Sequence, residues 1–206
     1  MLEHYYNEQP QVQSDEQAFE TSIRNDKFSF TSDRGVFAKG GIDFGSRLLI
    51  EAFVEPDIYG QILDMGCGYG PIGIALAKIT GRDVTMTDIN ERAVQLAEKN
   101  ITQNNAPWVR VVAGDLYSGL GNDERFAVIV TNPPIRAGKA VVHRMISEAG
   151  NYLLADGSLW MVIQKKQGAP SAKKKLQELY EEVNVVEKDK GYYVFKAQGF
   201  REPGAK

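Results

Sequence analysis

The sequence predicts a doubly wound α/β domain whose sheet is mostly parallel and is closed by an antiparallel hairpin. Short apolar segments of strand length alternate with segments that carry apolar residues at helical spacing, which is typical of parallel sheets with helices on both faces. The last two strand-like segments are joined only by Asp189-Lys190-Gly191, a turn signal too short for a crossover helix. These two strands are therefore expected to be antiparallel neighbours.

Length and composition predict one folded domain. A chain of 206 residues with 43% hydrophobic and 25% charged residues can bury a single continuous core. We expect a polar arm at residues 1–27, one domain at residues 28–200 and a short tail at residues 201–206. The arm lacks the cationic start and apolar middle of a signal peptide, and no apolar stretch approaches the ~20 residues of a membrane helix. The single cysteine, Cys67, suits a reducing compartment, so the sequence favours a cytoplasmic protein with no membrane partner.

The individual elements follow from the same alternation in chain order. Two extended pieces and a glycine-rich turn at Gly40-Gly41 precede the first helix, and Asn90 has the position of an N-cap before a later one. The predicted strands are 61–65, 83–87, 109–113, 126–130 and 159–163, followed by the closing hairpin at 183–197. The predicted helices are about 46–54, 72–79, 90–104, 139–153 and 173–180.

Polar side chains stand at or just beyond the ends of four of the predicted strands. In chain order they are Asp64, Asp88, Asp115 and Asn132. The carboxyl ends of parallel strands meet at one edge of a sheet, and ligands of doubly wound folds bind in the crevice outside that edge. These four side chains are therefore expected to converge on one crevice.

The segment DMGCGYGPIG places Gly66, Gly68 and Gly70 directly after the first strand of the series. Glycine suits a tight strand-to-helix turn at which a ligand contacts the backbone. An unpaired Asp64 carboxylate ~6 Å from a phosphate would repel each phosphate charge by about 3 kcal/mol at an effective dielectric of ~20. The same carboxylate favours the ammonium and sulfonium groups of S-adenosylmethionine. The sign of the charge therefore predicts S-adenosylmethionine as the cofactor and disfavours a dinucleotide.

The remaining polar residues near the loop receive roles on the same basis. Asp88 is predicted to accept hydrogen bonds from both ribose hydroxyls, as an acid after the second strand does in nucleotide-binding sheets. Asp115 is predicted to accept from the adenine amine. Cys67 is interpreted as a residue of the turn, because no histidine lies near it in sequence to activate a nucleophilic thiol. No metal is predicted, because neither His4 nor His143 has ligand spacing around it.

Four motifs taken together, DMGCGYG, TMTDIN, AGDLY and VTNPPI, resemble those of class I S-adenosylmethionine-dependent methyltransferases that act on exocyclic or amide nitrogen. The resemblance implies the Rossmann-like, seven-stranded fold of that class, and it adds Ile89, Leu116 and Asn132 to the cofactor-binding residues. GVFAKGGIDFGSRLL, NPPIRAGK and IQKKQGA are most similar to the family of small-subunit (16S) ribosomal RNA guanine-N2 methyltransferases. The resemblance covers about residues 28–198 and matches the catalytic copy of family members that carry two tandem domains.

The Asn-Pro-Pro segment is predicted to hold the amine that receives the methyl group. An aromatic amine such as guanine N2 is a poor nucleophile because its lone pair is delocalised into the ring. The Asn132 side-chain oxygen and the Pro133 carbonyl would accept hydrogen bonds from the NH2 and favour its pyramidal form. Proline fixes φ at about −65° and so fixes the direction of neighbouring carbonyls. The predicted catalytic residues are Asn132, Pro133, Pro134 and Ile135.

One position departs from the common pattern. Ile135 follows Asn-Pro-Pro where many nitrogen methyltransferases have Tyr or Phe against the target base. Stacking of a base on an aromatic ring contributes ~1–3 kcal/mol, so another aromatic is expected to provide it. Phe37 and Phe44, which precede the first strand of the sheet, are the candidates.

The charge pattern constrains the kind of partner. A net charge of −3 and a pI near 5.5 argue against a protein that coats nucleic acid nonspecifically. Local basic segments remain, and they could equally be ordinary solvated surface. The predicted substrate-binding cations are Arg136, Lys139, Lys165 and Lys166.

The predicted function is transfer of a methyl group to guanine N2 of ribosomal RNA, or of the small ribosomal subunit, by a monomeric enzyme. A protein glutamine N5-methyltransferase is the nearest alternative, because a side-chain amide presents the same NH2 to the same Asn-Pro-Pro. A noncatalytic S-adenosylmethionine-binding module that assembles with a partner is a second alternative. A nicotinamide dehydrogenase is a weak third, which the charge of the glycine loop disfavours.

Overall fold

The computed structural model describes residues 13–38, 40–134 and 138–201. Its strands are β1 Gln17–Ile23, β2 Asp26–Ser32, β3 Gln61–Met65, β4 Val84–Asp88, β5 Val109–Ala113, β6 Phe126–Thr131, β7 Leu153–Gln164, β8 Tyr180–Asp189 and β9 Tyr192–Phe200. Its α-helices are α1 Phe44–Ala52, α2 Pro71–Thr80, α3 Glu91–Gln103, α4 Lys139–Ala149 and α5 Ala169–Leu179. Short 3-10 turns at Gly150–Tyr152 and Lys165–Gln167 flank β7. Within the described ranges, no helix is long and apolar enough to cross a membrane.

The main sheet has seven strands in the order β5-β4-β3-β6-β7-β9-β8. Neighbouring strands from β5 to β7 are parallel, whereas β9 lies antiparallel to both β7 and β8. The fold predicted from the sequence, including its antiparallel closing hairpin, is confirmed. The chain runs outward from β3 to β5 and then returns to pair β6 on the other side of β3. The topological switch point, where doubly wound folds bind their ligands, therefore lies between β3 and β6.

Apolar side chains alternate between the two faces of the sheet. Ile62 and Leu63 are adjacent in β3 and fully buried, yet they belong to different apolar clusters. Val128 and Ile129 divide in the same way in β6. Residues of β1, β2, α1, α2 and α3 pack on one face, and residues of α4 and α5 pack on the other. Burial on both faces explains why these strands are continuous apolar runs in the sequence.

The N-terminal hairpin β1–β2 is the main feature that the sequence did not reveal. Residues 17–27 were expected in a polar arm, but β1 pairs antiparallel with β2 from Gln17 to Ser32, so the expected domain boundary at residue 28 falls inside the hairpin. Buried Asn100 of α3 attaches the hairpin to the domain: its Oδ1 accepts from Thr31 N at 2.7 Å and its Nδ2 donates to Thr31 O at 2.9 Å. The second contact of that amide nitrogen, Tyr69 O at 2.8 Å, connects the hairpin to the glycine loop.

Several predicted element boundaries after the Asn-Pro-Pro segment differ from the structure. The helix expected to reach residue 153 ends at Ala149, and β7 begins at Leu153 instead of residue 159. The helix expected from residue 173 begins at Ala169. Gly168, with φ of 117°, forms its N-cap. Pro170 occupies the first turn, where a backbone N–H has no partner within the helix, so the missing N–H of proline costs nothing there.

Candidate active site

A deep pocket lies outside the carboxyl ends of β3, β4 and β6, beside the switch point. The segment before α1, the glycine loop, the residues after β4 and the residues after β6 all contribute to it. Its lining includes Val36, Phe37, Ala38, Asp43, Ser46, Gly66, Cys67, Gly68, Tyr69, Asp88, Ile89, Asn90, Gly114, Leu116, Asn132, Pro133, Pro134, Gln167 and Tyr192. Of the four strand-end residues predicted to converge, Asp88 and Asn132 line this pocket, whereas Asp64 and Asp115 are not among its lining residues.

The glycine loop leaves open space where side chains would otherwise stand. Gly66 and Gly68 have φ of 71° and 58°, in the left-handed region that favours glycine. A Cβ on Gly66 would meet no atom within 4 Å, and one on Gly68 would meet only Val36 Cγ1 at 3.9 Å. The backbone N–H groups of Gly66 and Cys67 donate to Thr87 O at 2.8 and 2.9 Å, which fixes the loop to the end of β4. The result is a rigid cradle that a ligand can approach closely.

Asp64 is a buried carboxylate with one oxygen free. Its Oδ2 accepts from Gly73 N at 2.8 Å, whereas its Oδ1 is the one buried side-chain oxygen without a hydrogen-bond partner among the described residues. Burial raises the pKa of Asp64 to about 7, the hydrogen bond from Gly73 opposes this rise, and the nearby charge of Asp88 adds to it. A cation in the pocket would restore the charged form.

Asp88 ends β4 and faces the same pocket. Its Oδ2 accepts from Gly68 N at 2.8 Å and its Oδ1 from Asn90 N at 2.9 Å, while burial raises the pKa of the carboxyl group. A carboxylate has about four acceptor positions on its two oxygens, so Asp88 keeps acceptor capacity beyond its backbone contacts. Ile89, the next residue, also lines the pocket. Asn90 caps α3 as predicted, accepting from Arg92 N and Ala93 N.

Two of the three residues directly after β5 line the pocket, and the third forms an ion pair with α4. Gly114 and Leu116 line the pocket, and Leu116 adopts a positive φ of 53° that is uncommon for a branched side chain. Asp115, between them, forms an ion pair with Arg144 of α4 at 2.8 Å. Its predicted role as acceptor for the adenine amine stays a prediction, and this ion pair competes with it.

Cys67 lies in the turn, as the sequence indicated. Its side chain is buried, and burial together with the charges of Asp88 and Asp64 raises the pKa of the thiol well above its usual range. A raised pKa disfavours the thiolate that nucleophilic attack needs.

Asn132, Pro133 and Pro134, which are predicted to hold the acceptor amine, also line the pocket and form its acceptor wall. The Asn132 amide nitrogen donates to Asp43 Oδ1 at 3.0 Å and to Ser46 Oγ at 3.0 Å, both at the N-terminus of α1. The predicted residues Ile135 and Arg136 lie outside the described residues.

Of the two predicted aromatic residues, Phe37 lines the pocket and Phe44 does not. Phe37 lines the pocket and is 52% exposed. Phe44 instead packs against Tyr192, with ring centroids 5.5 Å apart, and Lys190 Nζ lies 4.6 Å from its ring centroid. Tyr192, which the sequence did not single out, lines the pocket. Its ring occupies the space beside Gly45, where a Cβ would come within 3.1 Å of Tyr192 Cε1.

Three of the four predicted cations lie in the described part of the chain, in the turn after β7 and at the start of α4. Lys165 and Lys166 are exposed in the 3-10 turn whose third residue, Gln167, lines the pocket. Lys165 N donates to Gly191 O at 2.7 Å, so this turn is attached to the tip of the β8–β9 hairpin. Lys139 is exposed at the first position of α4.

The lining residues that the sequence analysis did not single out include Asp43, Ser46 and Tyr192. The DFGS segment carried a usable signal for the first two, because an acid directly before an apolar helix is typical of an N-cap, whose side chain accepts from the N–H three residues later. No sequence signal indicated that this cap faces Asn132, 89 residues away.

The described residues fit S-adenosylmethionine. The unpartnered Asp64 oxygen suits the cofactor's ammonium group, the open backbone at Gly66 and Gly68 suits close approach, and Asp88 retains acceptor capacity for ribose hydroxyls. A diphosphate would meet two carboxylates instead. The fold and the pocket together define a class I S-adenosylmethionine-dependent methyltransferase.

Comparison with known proteins gives the family. The chain belongs to the methyltransferase small domain family, whose model matches residues 27–196. It is 54% identical over 199 residues to the uncharacterized protein YbxB of Bacillus subtilis (strain 168), covering 96% of this chain and 99% of that protein. It is 34% identical over 149 residues to ribosomal RNA small subunit methyltransferase C of Vibrio vulnificus (strain CMCP6), covering 70% of this chain.

A solved methyltransferase structure is also similar to this chain. The T. thermophilus 16S rRNA N2 G1207 methyltransferase (RsmC), in complex with AdoMet and guanosine, superposes with a TM-score of 0.80 at 26% identity. The match covers 92% of this chain and 52% of that one. The chain likewise spans 42% of the length of the Vibrio vulnificus relative.

Proposed function

We propose that this methyltransferase acts on an exocyclic amine, guanine N2 of small-subunit ribosomal RNA, as a monomer in the cytoplasm. The observation that carries the proposal is the Asn132-Pro133-Pro134 wall, whose Asn132 amide nitrogen is engaged by Asp43 and Ser46. The Asn132 amide oxygen is then the atom that can accept a hydrogen bond from the NH2 group that receives the methyl group. Similarity to a 16S rRNA N2 methyltransferase that binds guanosine supports guanine as the base.

In this proposal the chain orients an amine and does not need a strong base. S-adenosylmethionine supplies an electrophilic methyl carbon bonded to a sulfonium. Asn132 Oδ1 and the Pro133 carbonyl would accept from the two amine hydrogens, which favours a pyramidal nitrogen whose lone pair can attack that carbon. The C–S bond breaks with its electron pair on sulfur, and the amine then loses one proton to solvent. Preorganised polar groups of this kind contribute about 2.7–4 kcal/mol each in other enzymes.

The proposed base site uses an aromatic other than the residue after Asn-Pro-Pro. Tyr192 lines the pocket and packs against Phe44, while Phe37 also lines the pocket and is exposed. A purine held against Tyr192 would be within the same pocket as Asn132. A base in a folded or paired RNA would have to be turned out of its stack to reach it.

The proposed RNA contacts are the exposed lysines around the mouth. Lys139, Lys165 and Lys166 are joined by Lys190 at the tip of the β8–β9 hairpin. Such a local group can contact phosphates even though the net charge of the chain is −3. Most of the protein surface would then not bind nucleic acid. This favours binding to one structured RNA target over nonspecific binding to RNA.

The decisive experiment is incubation of the purified protein with S-adenosylmethionine tritiated at the methyl group and with small ribosomal subunits or their naked RNA. The expected result is label that nuclease releases and that mass spectrometry of nucleosides identifies as N2-methylguanosine. Subunits from a strain that lacks the protein are the sensitive substrate, and wild-type subunits are the control.

Other outcomes identify the alternatives. Label that resists nuclease and follows protein through protease digestion would replace the proposal with methylation of a glutamine side chain. Tight binding of S-adenosylmethionine without methylation of either RNA or protein would favour a noncatalytic module. A titration with NADH beside S-adenosylmethionine tests the weakest alternative, a dehydrogenase.

A further inference from the structure

The Asn132 amide is held by the N-terminus of α1. Its nitrogen has two hydrogens, and both have acceptors at 3.0 Å, Asp43 Oδ1 and Ser46 Oγ. Among the described residues, no donor to Asn132 Oδ1 is found. The amide is therefore oriented by its nitrogen end, and its oxygen is the end left for the amine that receives the methyl group.

The two acceptors differ in what they can specify. A hydroxyl can donate or accept, so Ser46 is compatible with either orientation of the amide. Asp43 Oδ1 already accepts from Ser46 N at 3.1 Å, and an oxygen that receives two N–H donors acts as an acceptor only. Rotating the amide by half a turn would set Asn132 Oδ1 against this oxygen, acceptor against acceptor. Asp43 is thus the group that selects the orientation.

Asp43 is itself held on rigid elements. It is the N-cap of α1, and Ser46, to which it is bonded, is 3% exposed. The backbone just before it is attached to the glycine loop, because Tyr69 Oη donates to Gly41 O at 2.9 Å. The position of the carboxylate therefore follows from the helix end and the cofactor loop together.

We infer that Asp43 is a positioning residue for methyl transfer: it fixes the Asn132 amide with Oδ1 toward the amine of the acceptor. The inference rests on the proposed role of Asn132. Asp43 touches neither the amine nor its proton in this scheme, so it is not a general base. Without Asp43, the Asn132 amide can turn its own NH2 toward the amine that receives the methyl group, which sets donor against donor. It can also rotate away from the reacting atoms.

The alternative is that Asp43 only caps α1, and two substitutions separate the roles. Asp43→Asn keeps an acceptor oxygen, which the Ser46 N–H holds in the same place, so turnover should stay within about threefold of wild type. Asp43→Ser keeps a preferred N-cap, but its oxygen is one bond shorter and does not reach Asn132. Turnover should then fall about tenfold or more, with cofactor affinity and melting temperature nearly unchanged.

A double-mutant cycle shows whether Asp43 acts through Asn132. In the Asn132→Ala background, Asp43→Ser should have almost no further effect on turnover, because no amide remains to be oriented. An equal loss in both backgrounds would overturn the inference. So would wild-type turnover in Asp43→Ser.

A substrate-free measurement keeps this test separate from the proposed function. The Asn132 side-chain NH2 can be assigned by NMR from the signal that Asn132→Ala loses. Its hydrogens should exchange slowly in the wild type and in Asp43→Asn, and faster in Asp43→Ser. Unchanged exchange in Asp43→Ser would reject the positioning role of Asp43 whatever the substrate is. Altered exchange without a ribosomal product would reject only the proposed substrate.

Discussion

The two walls of the pocket are built differently. The cofactor wall comes from short continuous motifs: Asp64 and the glycine loop are contiguous, and Asp88 closes the next strand. The acceptor wall assembles Asp43, Asn132 and Tyr192 from three distant parts of the chain. Backbone N–H groups hold the carboxylates of the first wall, whereas side chains hold one another in the second.

This difference indicates how each wall is specified. A continuous motif carries its own geometry, because a strand end and a tight glycine turn fix the backbone locally. A wall assembled from distant residues depends on the packing of α1 and the β8–β9 hairpin against the sheet. Substitutions in the two walls should accordingly affect different kinetic quantities: affinity for the cofactor in one, and turnover or RNA affinity in the other.

The largest expected effect is at Asn132. Asn132→Ala should lower turnover by about 100- to 1,000-fold, since a preorganised polar group is worth about 2.7–4 kcal/mol. The cofactor dissociation constant, measured by calorimetry, should stay within a few-fold of wild type. A turnover close to wild type would remove the proposed mechanism, and a matching loss of cofactor affinity would erase the contrast between the walls.

The next effect is at Asp64. Asp64→Asn keeps the shape and removes the charge, so it should weaken S-adenosylmethionine binding about 100-fold near pH 8, the equivalent of about 3 kcal/mol at ~6 Å. Turnover at saturating cofactor should change little. Equal loss of turnover would mean that this carboxylate also serves the chemical step.

The pH dependence of binding sharpens the test of Asp64. Its pKa of about 7 lies above the usual range for Asp because of burial, so the carboxyl is protonated below pH 7 in the free protein and must lose its proton to bind a cation. Cofactor affinity should therefore rise by up to about tenfold per unit from pH 5.5 toward 7 and then level off. Asp64→Asn should lose that slope, which calorimetry in buffers of different ionisation enthalpy can measure.

A moderate effect is expected at Tyr192. Tyr192→Ala should lower kcat/KM for the RNA by roughly 5- to 100-fold, in line with ~1–3 kcal/mol for base stacking, while Tyr192→Phe keeps the ring and most of the activity. Tyr59→Ala is the control, because Tyr59 is 98% exposed just before β3, at the opposite edge of the sheet. Equal activity of Tyr192→Ala and wild type would transfer the role to Phe37.

The smallest effect is expected at the mouth. Lys166→Ala should weaken RNA binding a few-fold and reduce the slope of log affinity against log salt by about 1 if it contacts a phosphate. Arg125→Ala removes the same charge before β6, at the far edge of the sheet, and should leave that slope unchanged. Equal slopes for the two variants would contradict a lysine contact at the mouth.

Much of the fold could be predicted because its signals are local. Strands buried on both faces appear as apolar runs, such as Phe126 to Val130, and Asn90 identifies a helix start by its own chemistry. The β1–β2 hairpin was missed because its attachment is nonlocal: Asn100 holds it through buried hydrogen bonds to Thr31. Nothing in the sequence of residues 17–32 identifies Asn100 as the partner of Thr31.

The sequence alone determined the class of sheet, the cofactor edge and the sign of the charge there, because these follow from residues adjacent in the chain. Only the tertiary structure decided which side chains surround Asn132, how its amide is turned and which aromatic faces the pocket. Asp43 and Tyr192 reach that place through the packing of α1 and the closing hairpin. Contacts between elements far apart in sequence have no periodicity or spacing from which they could be derived.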